Sequence, residues 1–142
     1  VVKIIRKRLI LCGKNTTQPK YQGGQAVNII GKYLFKHIDG AYNFKKGANT
    51  YDIYFTILYQ LKEDYRTEED HDMHEMNINI SITTYSDKLR MNIIEISPRE
   101  KTLGFNTFAL TKFDDLQSGY ELVMNTLMKR LSKEYQNYDF IF

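Results

Sequence analysis

One cysteine, Cys12, is all the 142-residue chain contains, so no intramolecular disulfide can form, and a lone thiol agrees with a reducing compartment. With no thiolate-stabilising motif around it, Cys12 reads as a small apolar core residue after Leu9-Ile10-Leu11. No apolar run approaches the ~20 residues a membrane helix needs. The opening VVKIIRKRLILCG carries charges too deep, and an apolar run too short, for a signal peptide. The expectation is a cytoplasmic or nuclear protein without a membrane span.

Catalytic signatures are missing too. There is no G-x-S-x-G elbow and no H-E-x-x-H pair, and no Ser/His/Asp set is readable from residue order. Residues 13–17, GKNTT, follow an apolar run as a phosphate loop does, but they lack the upstream glycine and no helix starts at once behind them. No cofactor is expected.

What the chain does have is alternation. In NINISITTY, residues 77–85, Ile78, Ile80 and Ile82 share one parity, while Asn77, Asn79, Ser81 and Thr83 share the other. That is the period of a strand with one apolar and one polar face. Ser86-Asp87-Lys88 supplies a turn, and Leu89, Met91 and Ile93 resume the pattern. The break in parity at Ile93-Ile94, before Glu95 and Ile96, predicts a bulge or burial on both faces, with Pro98 as the stop. Upstream, Tyr51, Ile53, Phe55, Ile57, Tyr59 and Leu61 mark the strongest strand. These three runs form an antiparallel meander with one apolar face to be covered.

Two stretches repeat every three or four residues. Val27, Ile30, Leu34 and Ile38 predict a helix over 25–38 that Gly40 ends, and Leu116, Tyr120, Val123, Leu127 and Leu131 predict a helix over 114–135. The second opens on a capping pattern from Asp114 to Gln117, and Gly119 offers it a close approach to the strands. Short strands are expected at Ala41–Phe44, around Leu103–Leu110 and in the tail YQNYDFIF; Leu9–Cys12 reads as a further buried strand, although residues 1–12 also suit a short helix. The fold class is therefore α+β, a single domain over 1–142, with an antiparallel sheet packed by two amphipathic helices.

Charge is uneven. Residues 1–46 hold ten of the twenty Lys/Arg but only Asp39 of the seventeen acids, or +9, and the remaining 96 residues carry −6. Such asymmetry suits an anionic partner, or packing of the basic segment beside the chain's own acidic loop. The acidic loop, KEDYRTEEDHDMHE (62–75), contains the weak metal candidates His71 and His74, with Met73 its one apolar anchor. Gln22–Gln25 precedes a helix and offers backbone amides to an anion, or is simply a flexible entry. His37 reads as a surface residue. Tyr54, Arg90 and Asn92 fall on the polar face of the sheet, the position RNA-binding sheets use, but no glycine-aromatic signature accompanies them.

With no catalytic constellation, the first expectation is a non-enzymatic protein-interaction or assembly module, binding a protein partner or a second copy of itself, with Phe140, Ile141 and Phe142 as the interface anchor. The alternative is RNA or ribosome association through Lys3, Arg6, Lys7, Arg8, Lys14, Lys20, Lys45 and Lys46. A third class, small-molecule enzyme or carrier, requires a pocket between sheet and helices.

Overall fold

The strongest alternation becomes one of the two longest strands of the sheet, twelve residues each. In the computed structural model, which describes residues 23–141, helix α1 (Gly23–Ile38) precedes strands β1 (Ala41–Lys45), β2 (Thr50–Leu61), β3 (His74–Tyr85), β4 (Lys88–Ser97) and β5 (Lys101–Ala109), then helix α2 (Leu116–Glu134) and strand β6 (Tyr138–Ile141). Short 3-10 turns occupy Glu63–Tyr65 and Leu110–Phe113. The strands run in order β1 to β5 as an antiparallel meander, and β6 returns to pair with β2. The α+β antiparallel architecture read from the sequence is thus present, with five consecutive strands where three stood out. The strand expected at Leu9–Cys12, the 13–17 loop and Phe142 lie outside the described residues.

Register explains the core. Ile78, Ile80 and Ile82 of β3 face Phe55, Ile53 and Tyr51 of β2, and on the other side Ile80 and Ile82 face Ile93 and Met91 of β4. All three isoleucines are fully buried. Ala26, Val27, Ile30 and Leu34 of α1 and Val123, Leu127 and Leu131 of α2 join the same cluster, so both helices lie on one face of the sheet. Burying side chains of this size stabilises by roughly 1.5–3 kcal/mol each.

Several local expectations shift. Alternation continues through β4, so Glu95 follows Ile93 onto the core face instead of the strand becoming apolar on both sides. The register against β5 does shift between Ile93 and Ile94, with Leu103 of β5 as the extra residue, and a second irregularity lies against β3, where Ile78 pairs Glu95 while Asn77 pairs Ser97, which makes Ile96 extra. The cap of α2 is Asp115, not Asp114; its side chain accepts from the backbone N–H of Gln117 and Ser118. Gly119 approaches the Phe113 ring, where an added Cβ falls 2.3 Å from a ring carbon, and not a strand. The acidic loop is shorter than read, because His74 and Glu75 already belong to β3. It is also tied down: Gln60 donates to the His71 carbonyl at 2.8 Å and Arg66 Nε to the Leu61 carbonyl at 2.9 Å.

Gly31 sets how closely α1 rides on β2. A Cβ there falls 2.2 Å from Cγ of Tyr51, whose ring is fully buried and has nowhere to move. Gly31→Ala gains up to about 1 kcal/mol in helix propensity but meets an overpacking cost of about 1–3 kcal/mol. The expected outcome is a net loss of roughly 1–2 kcal/mol in urea-unfolding stability. Unchanged or increased stability contradicts the close packing of α1 on Tyr51.

Candidate functional site

The tightest polar cluster forms where β4, the turn after it and the end of α2 converge. Glu95 has no exposure, and its carboxylate accepts from the Arg99 backbone N–H (3.1 Å), Arg99 Nη2 (3.0 Å) and the Tyr135 hydroxyl (2.6 Å). Arg99 also lies 4.9 Å from the centre of the Tyr135 ring and reaches Glu134, which Lys101 pairs as well. Burial first, then the hydrogen bond to Glu95, raises the Tyr135 phenol above its ordinary value, and the Glu95 bond holds the Arg99 guanidinium high. Lys101 draws the Glu134 carboxyl below its ordinary value. With its oxygens occupied by three donors, Glu95 works as a clasp between strand and helix, a satisfied buried charge.

The candidates read from the sequence scatter. His74 Nε2 meets Asp70 Oδ1 at 2.7 Å and its ring packs 5.2 Å from Tyr59, while His71 Nδ1 faces the carbonyls of Thr67 and Glu68. The two imidazoles serve different partners, and among the described residues no three His, Cys, Asp or Glu side chains gather to hold a metal. Lys45 and Lys46 are exposed at the end of β1. Lys3, Arg6, Lys7, Arg8, Lys14 and Lys20 lie outside the described residues. In the tail, Phe140 is turned inward toward Tyr59 and Tyr135, whereas Ile141 is half exposed. His37 packs between Tyr33 and Tyr120, with ring centres 4.4 and 5.4 Å away, and Tyr33 donates to Gln117 Oε1 at 2.7 Å, joining the two helices.

A feature the sequence did not disclose lies on the edge of β2. Strand β1 pairs Thr50–Tyr54 and β6 pairs Leu58–Leu61 along the same edge, both antiparallel to β2, so the two form one interrupted line. Between them Phe55, Thr56 and Ile57, paired with β3 on the inner side, have no strand on this outer edge among the described residues. The break from the Leu58 to the Tyr54 register spans roughly 14 Å at ~3.4 Å per residue. Gly40, at φ +139°, makes the turn into β1 just beyond it; a Cβ there falls 2.1 Å from the Tyr54 carbonyl oxygen, so a side chain is excluded twice over.

Cavities flank the break on both sides. On the helical side one of about 230 Å³ is lined by His37, Ile38, Phe55, Ile57, Tyr120 and Met124. On the other side a depression of about 580 Å³ runs from Asp39 and Gly40 past Tyr54 and Thr56 to Asn77 and Ile96. Two of the large apolar side chains left exposed, Tyr54 and Ile96, line this depression, and a third, Ile141, pairs Leu58 where β6 begins the break. Hydrogen bonds fix the floor: Thr56 donates to Asn77 Oδ1 and Asn77 Nδ2 to Ser97 Oγ, both at 2.7 Å. Tyr54, Arg90 and Asn92 do share the sheet face away from the helices. Comparison with known protein families, curated proteins and solved structures finds no match to this chain.

The clasp makes a prediction about alkaline pH. An unfolded tyrosine ionises near ~10, and Tyr135 is raised above that in the fold. Its contribution is complete below about pH 10 and is lost as pH rises further, because the unfolded chain releases a proton that the fold retains. Tyr135→Phe is expected to lower urea-unfolding stability at pH 7 by about 1–3 kcal/mol and to flatten its decline between about pH 10 and 11. Tyr51 and Tyr59, also raised by burial, leave part of the slope. A slope identical to the parent chain rules out this role for Tyr135.

Proposed function

We propose that the protein is a non-enzymatic interaction module that binds a short extended segment of a partner protein in the interrupted edge of its sheet. The observation that carries this reading is the stretch Phe55–Ile57, which among the described residues has no strand on its outer edge, lying between two collinear edge strands with a cavity on each face. An exposed strand edge offers main-chain donors and acceptors that pair with any extended chain, and natural proteins protect such edges unless they use them. Adjacent side chains of an added strand point to opposite faces. A segment of about three residues therefore places one side chain beside Tyr120 and Met124 and the next beside Tyr54 and Ile96. Ile38, Ile57 and Met124 on the first side and Tyr54 and Ile96 on the second give each lodging apolar surface beside its polar groups, so an aliphatic or aromatic pair is the matching sequence.

The catalytic alternative has no support in the Glu95 cluster, whose carboxylate oxygens are already hydrogen-bonded. A phosphate chain across the open face meets Asp52, a buried carboxylate on that face, which weighs against RNA there.

Selection of random displayed heptapeptides on the whole chain, followed by amide hydrogen exchange, tests the proposal. Selected peptides are expected to slow exchange within Phe55–Ile57. Ile96→Asp, at an exposed position, is expected to weaken them about tenfold or more, while Tyr85→Ser, elsewhere on the sheet, leaves them unchanged. Peptides that protect a different segment, or binding insensitive to Ile96→Asp, overturn it.

A further inference from the structure

The open face carries a second site, away from the edge. Cross-strand register aligns Asp52, Ser81, Asn92 and Phe105 in one row and Thr50, Thr83, Arg90 and Thr107 in the next. Ser81, Thr83, Arg90, Asn92 and Phe105 line a cleft of about 210 Å³. Among the described residues Ser81, Arg90 and Asn92 have no side-chain hydrogen bond or ion pair, whereas the Thr83 hydroxyl is already 3.1 Å from that of Thr50. The Arg90 guanidinium sits 5.6 Å from the ring centre of Phe105 and 6.0 Å from that of Tyr85. Both rings are more than half exposed.

From this geometry we propose that the cleft binds a small oxyanion, a carboxylate or phosphate group, through Arg90, Ser81 and Asn92. A guanidinium resting on an aromatic face keeps its N–H edges free while its torsions are restrained, so fewer conformations are lost when a ligand binds. Its planar fork matches two oxygens of a carboxylate or phosphate, and the bonds are charge-assisted. The Ser81 hydroxyl and the Asn92 amide supply neutral donors one row away. The volume admits a single anionic group and a few attached atoms, well short of the 300–1,000 Å³ of a typical small-molecule pocket. Asp52, directly opposite Ser81 on β2, sets a negative charge along the same row, which disfavours an extended polyanion and confines the ligand's charge to the Arg90 end.

The test uses the complete chain labelled with nitrogen-15. Sodium acetate and sodium phosphate are titrated separately at constant ionic strength maintained with sodium chloride, and amide and guanidinium signals are followed. Saturable shifts centred on Ser81, Arg90, Asn92 and Phe105 are expected with at least one anion. Saturation with acetate alone assigns a carboxylate ligand, with phosphate alone a phosphate ligand, and with both the shared oxyanion chemistry. Arg90→Met is expected to abolish saturation, and Arg90→Lys, which keeps the charge but loses the fork, to weaken it at least about fivefold. Chain integrity is checked by unchanged signals from the Ile78–Ile82 core; if Arg90→Met does not fold, Arg90→Lys and Asn92→Ala carry the test. Linear, non-saturating shifts with both anions, or saturation that the folded variants leave intact, overturns the proposal.

Discussion

Ile78, Ile80 and Ile82 have no contact with water, and the arrangement of the other elements follows from keeping them dry. Each isoleucine faces a large apolar side chain on β2, and Ile80 and Ile82 also face apolar residues on β4, so strand register is set by side-chain volume as well as backbone pairing. A slip of one residue would bring Asn77, Asn79 and Ser81 to the core face, and the cost of burying those groups without partners specifies the register strongly. The helices follow from the same need. Gly31 lets α1 lie directly over Tyr51, and α2 adds Val123, Leu127 and Leu131 to the cluster.

One charge enters this core. Glu95 occupies the position after Ile93 that alternation assigns to the buried face, and the sheet does not twist it outward. Instead the turn after β4 returns Arg99 to it, and the end of α2 delivers Tyr135. The same junction packs Tyr59, Tyr138 and Phe140 around Tyr135, so β6, α2 and β4 are held together at one end of the sheet. This aromatic and ionic junction places Ile141 opposite Leu58 and thereby sets one limit of the interruption on β2. The other limit is set by Gly40, which turns the chain from α1 into β1.

The two proposed sites use different properties of the same sheet. At the edge, main chain with no strand on its outer side among the described residues, and a cavity on each face, favour an extended segment whose side chains alternate between faces. On the open face, a guanidinium over two aromatic rings and two polar side chains without a partner among the described residues favour a small anion. A partner segment and an anionic group need not belong to one molecule, because the cleft and the interruption share no lining residue.

Sequence alone determined the elements whose periodicity is long and regular: the β2, β3 and β4 runs, both helices, the turn at Ser86-Asp87 and the α+β class. Those patterns are local, since alternation and helical spacing are enforced by where successive Cβ atoms point. It was less informative wherever one residue had two acceptable partners. Asp114 and Asp115 compete for the same cap, the partners of Glu95 come from the turn after β4 and from the end of α2, and Phe140 reads as an exposed anchor until the Tyr59 and Tyr135 rings surround it. Tertiary structure alone decided the sites. The break on β2 exists because β1 and β6, nearly a hundred residues apart in the chain, approach one edge from opposite ends. The Arg90 cleft exists because three strands meet in register. Neither arrangement leaves a periodic trace in the sequence, because each depends on distances between elements and not on the order of residues within one.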